Sequence, residues 1–448
     1  MKLFLPVLIC SSCCLTTNAA DSLPHRIGTT NVVRLSAAYL NQLAEQMRTN
    51  HPSLRAAAAR TRAADAATNS VRIWADPELT FGGTVADGAR GPELREDGDL
   101  LYGVEQKLPL FGKPQAVRRM VRAEAEAEGT RAELQFQNLR RDLAKTLFRA
   151  AHAERIVDLG RQDLVWLEAL STVAEERYRA GNGSQIEVLR LQNERARRAE
   201  LLRTEERHRD HELLTINRFL DRELHAPLAK FELPGIAGVV AYTPRLVELA
   251  VKHEPRLRVM RREIETAQAS VAAARKARLP DLAGFADARQ YSGDGGFREA
   301  TFGIKMSLPW FNHGRYQSDV ARERARLEAA QADTADQEQA IREEVHHVTV
   351  NIDAARREAL LYREQIIPRS EQALTVAREN WLNNRGTFSE VMEARRLFLE
   401  AQLGQSRAVS EQYQLMAQLV LCCGLADFEM LQTLGITEDN SSPDPSQR

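Results

Sequence analysis

Cysteine is scarce. Five occur in 448 residues, and Cys10, Cys13 and Cys14 fall within the first fourteen. The other two, Cys422 and Cys423, are neighbours, and adjacent cysteines in a helix cannot easily bridge each other. No disulfide framework organises this chain, and the pair reads as small apolar core residues. Net charge is nearly absent as well, with 61 basic and 62 acidic side chains. That balance removes the electrostatic case for nucleic acid. Aromatics are only 6%. Beyond the N-terminus there is no run of 18 apolar residues, hence no transmembrane helix, and a membrane role would have to come from β-strands. Catalytic signatures are missing too: no nucleotide-binding loop, no zinc-ligand spacing and no nucleophile elbow. His346-His347 and the His208/His211 pair are the nearest approach to metal ligands. No matching carboxylate or cysteine set accompanies them, so they read as surface histidines.

What is abundant is Ala, Arg, Glu, Gln and Leu, the composition of long helices and coiled coils. Lys2 precedes an apolar stretch, Leu3 to Cys10, and small residues follow to Ala19-Ala20. This is the pattern of a secretory signal peptide, assigned to residues 1–20. Lipidation of Cys13 or Cys14 would make the mature chain a lipoprotein, although the residues before them fit that signal poorly.

The chain is a repeat. Leu108-Pro109-Leu110-Phe111 recurs as Leu308-Pro309-Trp310-Phe311, 200 positions later. Each copy leads into a long helical run interrupted once by a Gly-containing turn. Glu176, Gly183, Glu187 and Val188 of the first turn recur as Glu379, Gly386, Glu390 and Val391, offset by 203. An internal repeat decides the architecture before any local assignment. The first repeat is placed at 21–220 and the second at 244–437. A Pro/Gly-rich linker (221–243) separates them, and 438–448 is a tail disordered by composition.

Each repeat opens with a helix. Ser36 is a plausible N-cap, and the first helix is expected to run to about Trp74 with a break at Asn50-His51-Pro52. His253-Glu254-Pro255 echoes that break. Two strand-like segments follow in each repeat: Pro77 to Val85 and Leu100 to Leu108, then Asp281 to Tyr291 and Thr301 to Leu308. The loops between them are 86–99 and 292–296. Leu100, Tyr102, Val104, Gln106 and Leu108 alternate with Leu101, Gly103, Glu105 and Lys107. Phe302, Ile304, Met306 and Leu308 alternate likewise with Thr301, Gly303, Lys305 and Ser307. This period of two fits a half-buried strand and equally a membrane-barrel strand, lipid on one side and water on the other.

From Gln115 to Arg179 the helix would run roughly 100 Å at 1.5 Å per residue. Such a length calls for a coiled coil. Phe136, Leu143, Ala150, Val157 and Leu164 form one seven-residue series, and Leu139, Thr146, Ala153, Gly160, Leu167 and Ala174 a second. Arg140, Glu154, Arg161 and Glu168 lie between the two and read as a solvated face. The returning helix, Gln185 to Leu220, is half as long, so long helices should alternate with stacked pairs of short ones. Pro368 should kink the long helix of the second repeat.

A duplicated strand pair and long hairpin behind a signal peptide resembles the TolC-type outer-membrane efflux proteins. Gln106-Lys-Leu-Pro-Leu-Phe-Gly-Lys113 is similar to that family's junction of strand and long helix, and to its heavy-metal efflux branch. The turns Tyr178 to Ser184 and Trp381 to Thr387 are similar to its hairpin tips. The resemblance implies a mainly α fold with a small β part. Three copies would share a twelve-stranded outer-membrane β-barrel continuous with a periplasmic α-helical barrel. It implies a passive, non-enzymatic exit duct without cofactor, partnered by a periplasmic adaptor and an inner-membrane pump. It also implies roles for particular residues. Glu390 and Glu393, three apart on one helix face, would form constricting rings at the entrance, and such rings favour cations. Glu187 and Arg190 stand at the matching places of the first repeat, and Arg190 would pair with an acid of the neighbouring hairpin. Tyr178, Gly181, Gly183, Trp381 and Gly386 would meet the adaptor, the glycines supplying left-handed turn conformations. The competing reading is a periplasmic coiled-coil adaptor or scaffold, which would lack the paired strands with apolar faces.

Overall fold

Pro52 and Pro255 each open a helix at its first position, where a missing N–H costs nothing. The residue before each proline supplies the cap. In the computed structural model, His51 Nδ1 accepts from Ser53 N at 3.3 Å and Glu254 Oε2 accepts from Leu257 N at 2.8 Å. These junctions split the opening helix of each repeat in two. The pairs are α1 (Ala37–Asn50) with α2 (Pro52–Ser70) and α5 (Pro244–His253) with α6 (Pro255–Ala277). Ser36 caps α1 as the sequence suggests, accepting from Tyr39 N at 3.3 Å. Helix α2 stops at Ser70, short of Trp74. Thr68 and Ser70 hydroxyls turn back onto the carbonyls of Ala64 and Ala67, competing with the helical ladder. The structure describes residues 32–84, 99–291, 295–425 and 430–431. The signal peptide, Cys10, Cys13, Cys14, most of both strand-pair loops and the 438–448 tail lie outside the described residues.

Four strands follow those helices: β2 (Glu78–Thr84), β3 (Asp99–Leu108), β5 (Leu282–Tyr291) and β6 (Phe297–Met306). They form one antiparallel sheet in the order β2-β3-β5-β6, so the two repeats join edge to edge through β3 and β5. Strand β6 starts four residues earlier than Thr301. Arg298 and Glu299 lie between the expected loop, 292–296, and the expected strand start. They are held in the sheet by ion pairs, Arg298 with Asp99 at 3.0 Å and Arg289 with Glu299 at 3.2 Å.

Each strand pair then turns into a long arm. Phe111 and Gly112 both adopt left-handed backbone, φ 59° and 70°, and Lys113 begins α3 (Lys113–Arg179). This helix is continuous for 67 residues. The returning helix α4 (Gln185–Phe219) covers its lower part through Arg149–Glu212, Arg161–Glu206 and Arg195–Glu168 pairs. The α1–α2 pair covers its upper part through Arg48–Glu133 and Gln135 to the Ser53 carbonyl. One long helix thus lies against two short ones. The solvated-face expectation holds for Arg161 and Glu168, which are exposed, and is corrected for Arg140 and Glu154. Arg161 and Glu168 are inter-helix ties, and Arg140 donates to Asn41 at 2.8 Å. Glu154 is buried, and burial pushes its carboxyl above the ordinary range.

The second arm is α7 (His313–Leu361), a π-turn at Tyr362–Ile366, and α8 (Ile367–Leu382), returned by α9 (Phe388–Cys423). The disturbance expected from Pro368 appears as that π-turn. Proline lacks the N–H for the carbonyl one turn back and its ring crowds it, so the ladder shifts by a residue.

Between the repeats, β4 (Lys230–Glu232) pairs in parallel with β1 (Val32–Arg34). The stretch that reads as a linker is strapped down. Phe231 is buried, Lys230 pairs with Asp158 at 2.7 Å, and Gln412 exchanges both hydrogen bonds with the Ala237 backbone. Beneath the strap lies the main core, including Met47, Phe148, Ile216 and Met416. Cys422 and Cys423 are in it as free, buried thiols; burial pushes Cys423 up to about 12 and Cys422 upward too. A second core, around Leu167, Leu191, Trp381 and Val391, sits near the turns between the long helices.

Candidate functional site: the sheet and the hairpin tips

The sheet has one apolar face on which nothing is packed among the described residues. Register places Leu79 opposite Val104, Phe81 opposite Tyr102, and Ala286 opposite both Val104 and Phe302. Phe81 and Phe302 are 80% and 77% exposed. A soluble chain has no reason to leave such side chains in water. The other face carries charge in ordered pairs, Lys107–Glu78 and Lys305–Glu105, each at 2.6 Å. It is also closely fitted. A Cβ on Gly103 would run into the Asp287 carboxylate, and one on Gly303 would lie 2.5 Å from the Phe285 ring. Among the described residues the edge strands β2 and β6 have no partner on their outer sides. At the lower margin Trp74, Phe111, Trp310 and Phe311 are exposed, an arrangement typical of a membrane–water boundary. Among the described residues no helix is long and apolar enough to cross a membrane.

At the opposite end are two tips. In the first, Gly181 takes φ 75° with open space around it. The sequence expectation of left-handed glycine fails at the other two positions. Gly183 is required because a Cβ would lie 2.9 Å from Tyr178 N, and Gly386 because one would lie 3.0 Å from Asn380 Cβ. The left-handed residue of the second tip is Asn384, φ 58°. Tyr178 is 47% exposed, whereas Trp381 is 2% exposed. Trp381 therefore presents no surface to a partner in this chain. It is packed against Phe388, with the Arg177 guanidinium 4.7 Å over its ring.

The expected gate residues lie just above. Glu390 closes a capping box. Its Oε2 accepts from Thr387 N at 3.2 Å while its own N–H donates to Thr387 Oγ1 at 3.3 Å. Glu393 is exposed and paired with Arg396 at 2.7 Å, and that hydrogen bond holds its carboxyl below the ordinary range. Glu187 is half-buried in the first turn of α4. Arg190 reaches the hydroxyl of Ser389, across on the second hairpin, at 3.5 Å. Arg190 and Glu393 line a 370 Å³ groove between α4 and α9. At its floor is a cluster that sequence reading missed. Asp163, 3% exposed, pairs with Arg395 of the other repeat at 2.8 Å and with Arg198 at 3.7 Å. Arg395 also lies 4.7 Å over the Trp166 ring. Nothing in the local sequence distinguishes Asp163 from the many solvated acids of α3.

The histidines sit elsewhere. His346 meets the Tyr242 ring edge-on at 5.0 Å, His347 is 3.0 Å from Asn351, and His208 and His211 are exposed. Among the described residues no three His, Cys, Asp or Glu side chains converge to hold a metal ion.

The sequence profile of the family described as outer membrane efflux protein matches twice, over residues 43–215 and 246–425. The chain belongs to that family. Solved structures agree in fold. VceC from Vibrio cholerae is 20% identical, with 86% of this chain and 96% of that one aligned at a TM-score of 0.73. CmeC from Campylobacter jejuni is 14% identical, with 97% and 99% aligned at 0.73. CusC is 14% identical, with 86% and 92% aligned at 0.74. No protein of curated function matches the sequence. The protein is thus an outer-membrane efflux channel of the tripartite type, not an enzyme, with its helical part in the periplasm. The Leu-Pro-Leu-Phe-Gly-Lys segment joins β3 to α3. Its residues turn strand into helix, and Lys113 fastens the turn to Asp281 at 2.7 Å.

Proposed function

We propose that this efflux channel works as a homotrimer, receiving cargo from an inner-membrane pump through a periplasmic adaptor that meets the hairpin tips. The carrying observation is the four-stranded sheet with one apolar face and two unpaired edges. Unpaired backbone is not tolerated in lipid, and four strands cannot close. Pairing β2 of one copy with β6 of the next closes twelve strands and leaves no edge. The same closure gathers three pairs of tips into one ring.

At that ring Glu393 supplies the selecting charge, and Glu390 shares the face while setting the start of α9. Glu187 adds a further carboxylate, and Arg190 holds the first hairpin against the second. Rings of carboxylates favour cations over anions. Tyr178 and the backbone around Gly181, Gly183 and Gly386 form the adaptor surface, with Trp381 supporting it from below. Cargo is selected at the pump, and the chain contributes a charge-screened exit.

A photo-crosslinking residue in place of Tyr178 tests the adaptor surface in cells. The expected product is the chain joined to a periplasmic adaptor. Cross-links confined to other copies of the chain would remove the adaptor reading. For the gate, Glu393→Ala with Glu390→Gln, which keeps the cap acceptor, is expected to raise leak and reduce cation preference in planar bilayers. Unchanged conductance and selectivity would remove the gate assignment.

A further inference from the structure

One side chain reaches across both tips. Arg177, in the last turn of α3, donates through Nη1 to the Leu382 carbonyl at 2.8 Å. Its Nη2 donates to the Asn182 carbonyl at 3.2 Å and to Asn384 Oδ1 at 2.5 Å. The guanidinium plane lies over Trp381. Each contact has a separate consequence. Leu382 ends α8, so its carbonyl has no partner within the helix, and an arginine from the first repeat supplies one. Asn384 holds a left-handed backbone that L side chains rarely adopt, and its side chain is pinned by the same arginine. Trp381 is closed over from the first repeat.

The clip runs one way. The position in the second tip corresponding to Arg177 is Asn380, whose carbonyl is taken by Arg385 N and Gly386 N of its own turn. The arrangement is also not optimised for stability alone. Arg177 Nε and Trp381 Nε1 are buried without an acceptor, and unmet buried donors of this kind are rare and call for an explanation.

We infer that Arg177 is the positioning residue that makes the two tips a single docking surface. The inference rests on the adaptor reading above. Arg177 fixes the second tip relative to the first, so that Tyr178 and the second turn are met together. A lysine cannot replace it, because one ammonium lacks the planar fork and stacking face that serve three acceptors and a ring.

The test uses the detergent-solubilised full-length channel and the Tyr178 photo-crosslinker. In Arg177→Gln and Arg177→Lys, amide hydrogen exchange over residues 380–386 is expected to quicken about tenfold. The mutation lies in the first tip and the readout in the second. Cross-linking to the adaptor falls in parallel, while bilayer conductance stays at the parent value. Asn384→Gly removes one clip bond yet accepts the left-handed backbone, and is expected to give the same changes in weaker form; it serves if the Arg177 variants fail to assemble. Exchange changes confined to residues 176–184 would overturn the inference, and so would faster exchange at 380–386 with cross-linking unchanged. If the parent itself yields no adaptor cross-link, the adaptor reading falls and the coupling of the tips is decided by exchange alone.

Discussion

The two repeats are built on one plan and differ where they touch their surroundings. The first arm is a single helix; the second is interrupted by a π-turn. The offset between repeats is 200 at the Leu-Pro junction and 203 at the tips, so the second arm carries three more residues. A π-turn is how a helix takes up an extra residue without leaving its axis. Tyr362 of that turn fills the space beside Gly404 of α9, where a Cβ would lie 2.5 Å from its ring. At the tips the contrast is sharper. Tyr178 and Trp381 occupy equivalent positions, yet the first is half exposed and the second buried. The first arm is the stiff support, and the second is fitted against it.

The contrast is open to test pair by pair, beginning with the largest expected effect. Trp381→Ala should cost about 3–5 kcal/mol of tip stability, the range for a buried aromatic. Tyr178→Ala should stay within about 0.5 kcal/mol, as for an exposed site. Exchange protection at the tips measures both, and equal losses would break the distinction. Next, Gly404→Ala should cost about 1–3 kcal/mol through overpacking against Tyr362, and Leu201→Ala at the equivalent exposed position should be nearly neutral. Chemical denaturation of the trimer reads the difference. A smaller contrast lies in the caps. Both α4 and α9 begin with a hydroxyl residue and a glutamate three places on. Only Thr387 and Glu390 exchange both bonds; in α4 Ser184 accepts from Ile186 N instead. Glu390→Ala should therefore lose about 1 kcal/mol, and Glu187→Ala less.

The smallest effects concern pH. His51 and Glu254 are repeat equivalents and both cap a helix. Burial lowers the imidazole pKa of His51 and raises the carboxyl pKa of Glu254. The signs are opposite. Stability linked to His51 is present above its unfolded pKa, about 6.5, and is lost as pH falls. Stability linked to Glu254 is present below the ordinary carboxylate value and is lost as pH rises through its elevated one. His51→Asn should thus gain on the parent in acid, and Glu254→Gln toward neutral pH. Thermal melts across pH 4 to 8, a range of about four units around these values, should give slopes of opposite sign.

Much of this architecture is legible in the sequence because period and punctuation carry it. Alternation in Leu100 to Leu108 and Phe302 to Met306 marks the strands, the heptad series marks α3, and the paired turns mark the tips. The features that escape are made by tertiary partners. β4 is three residues whose pairing is decided by β1. Glu154 and Asp163 are indistinguishable in sequence from solvated acids until α4 and α9 close over them. The left-handed role passes from Gly386 to Asn384 because Arg177 holds the asparagine. Composition marks 221–243 as a linker between the repeats and carries no sign that Phe231 and the Gln412 bonds bind it down.

A channel of this kind depends on closure of the sheet between copies, and the mass of the complex extracted from the outer-membrane fraction tests that closure most directly. Native mass spectrometry in detergent should give three chains, and the trimer should be lost when a proline is placed in the outer edge of β2 or β6. A monomer or dimer recovered from the soluble periplasm would contradict the shared barrel and return the chain to the scaffold reading.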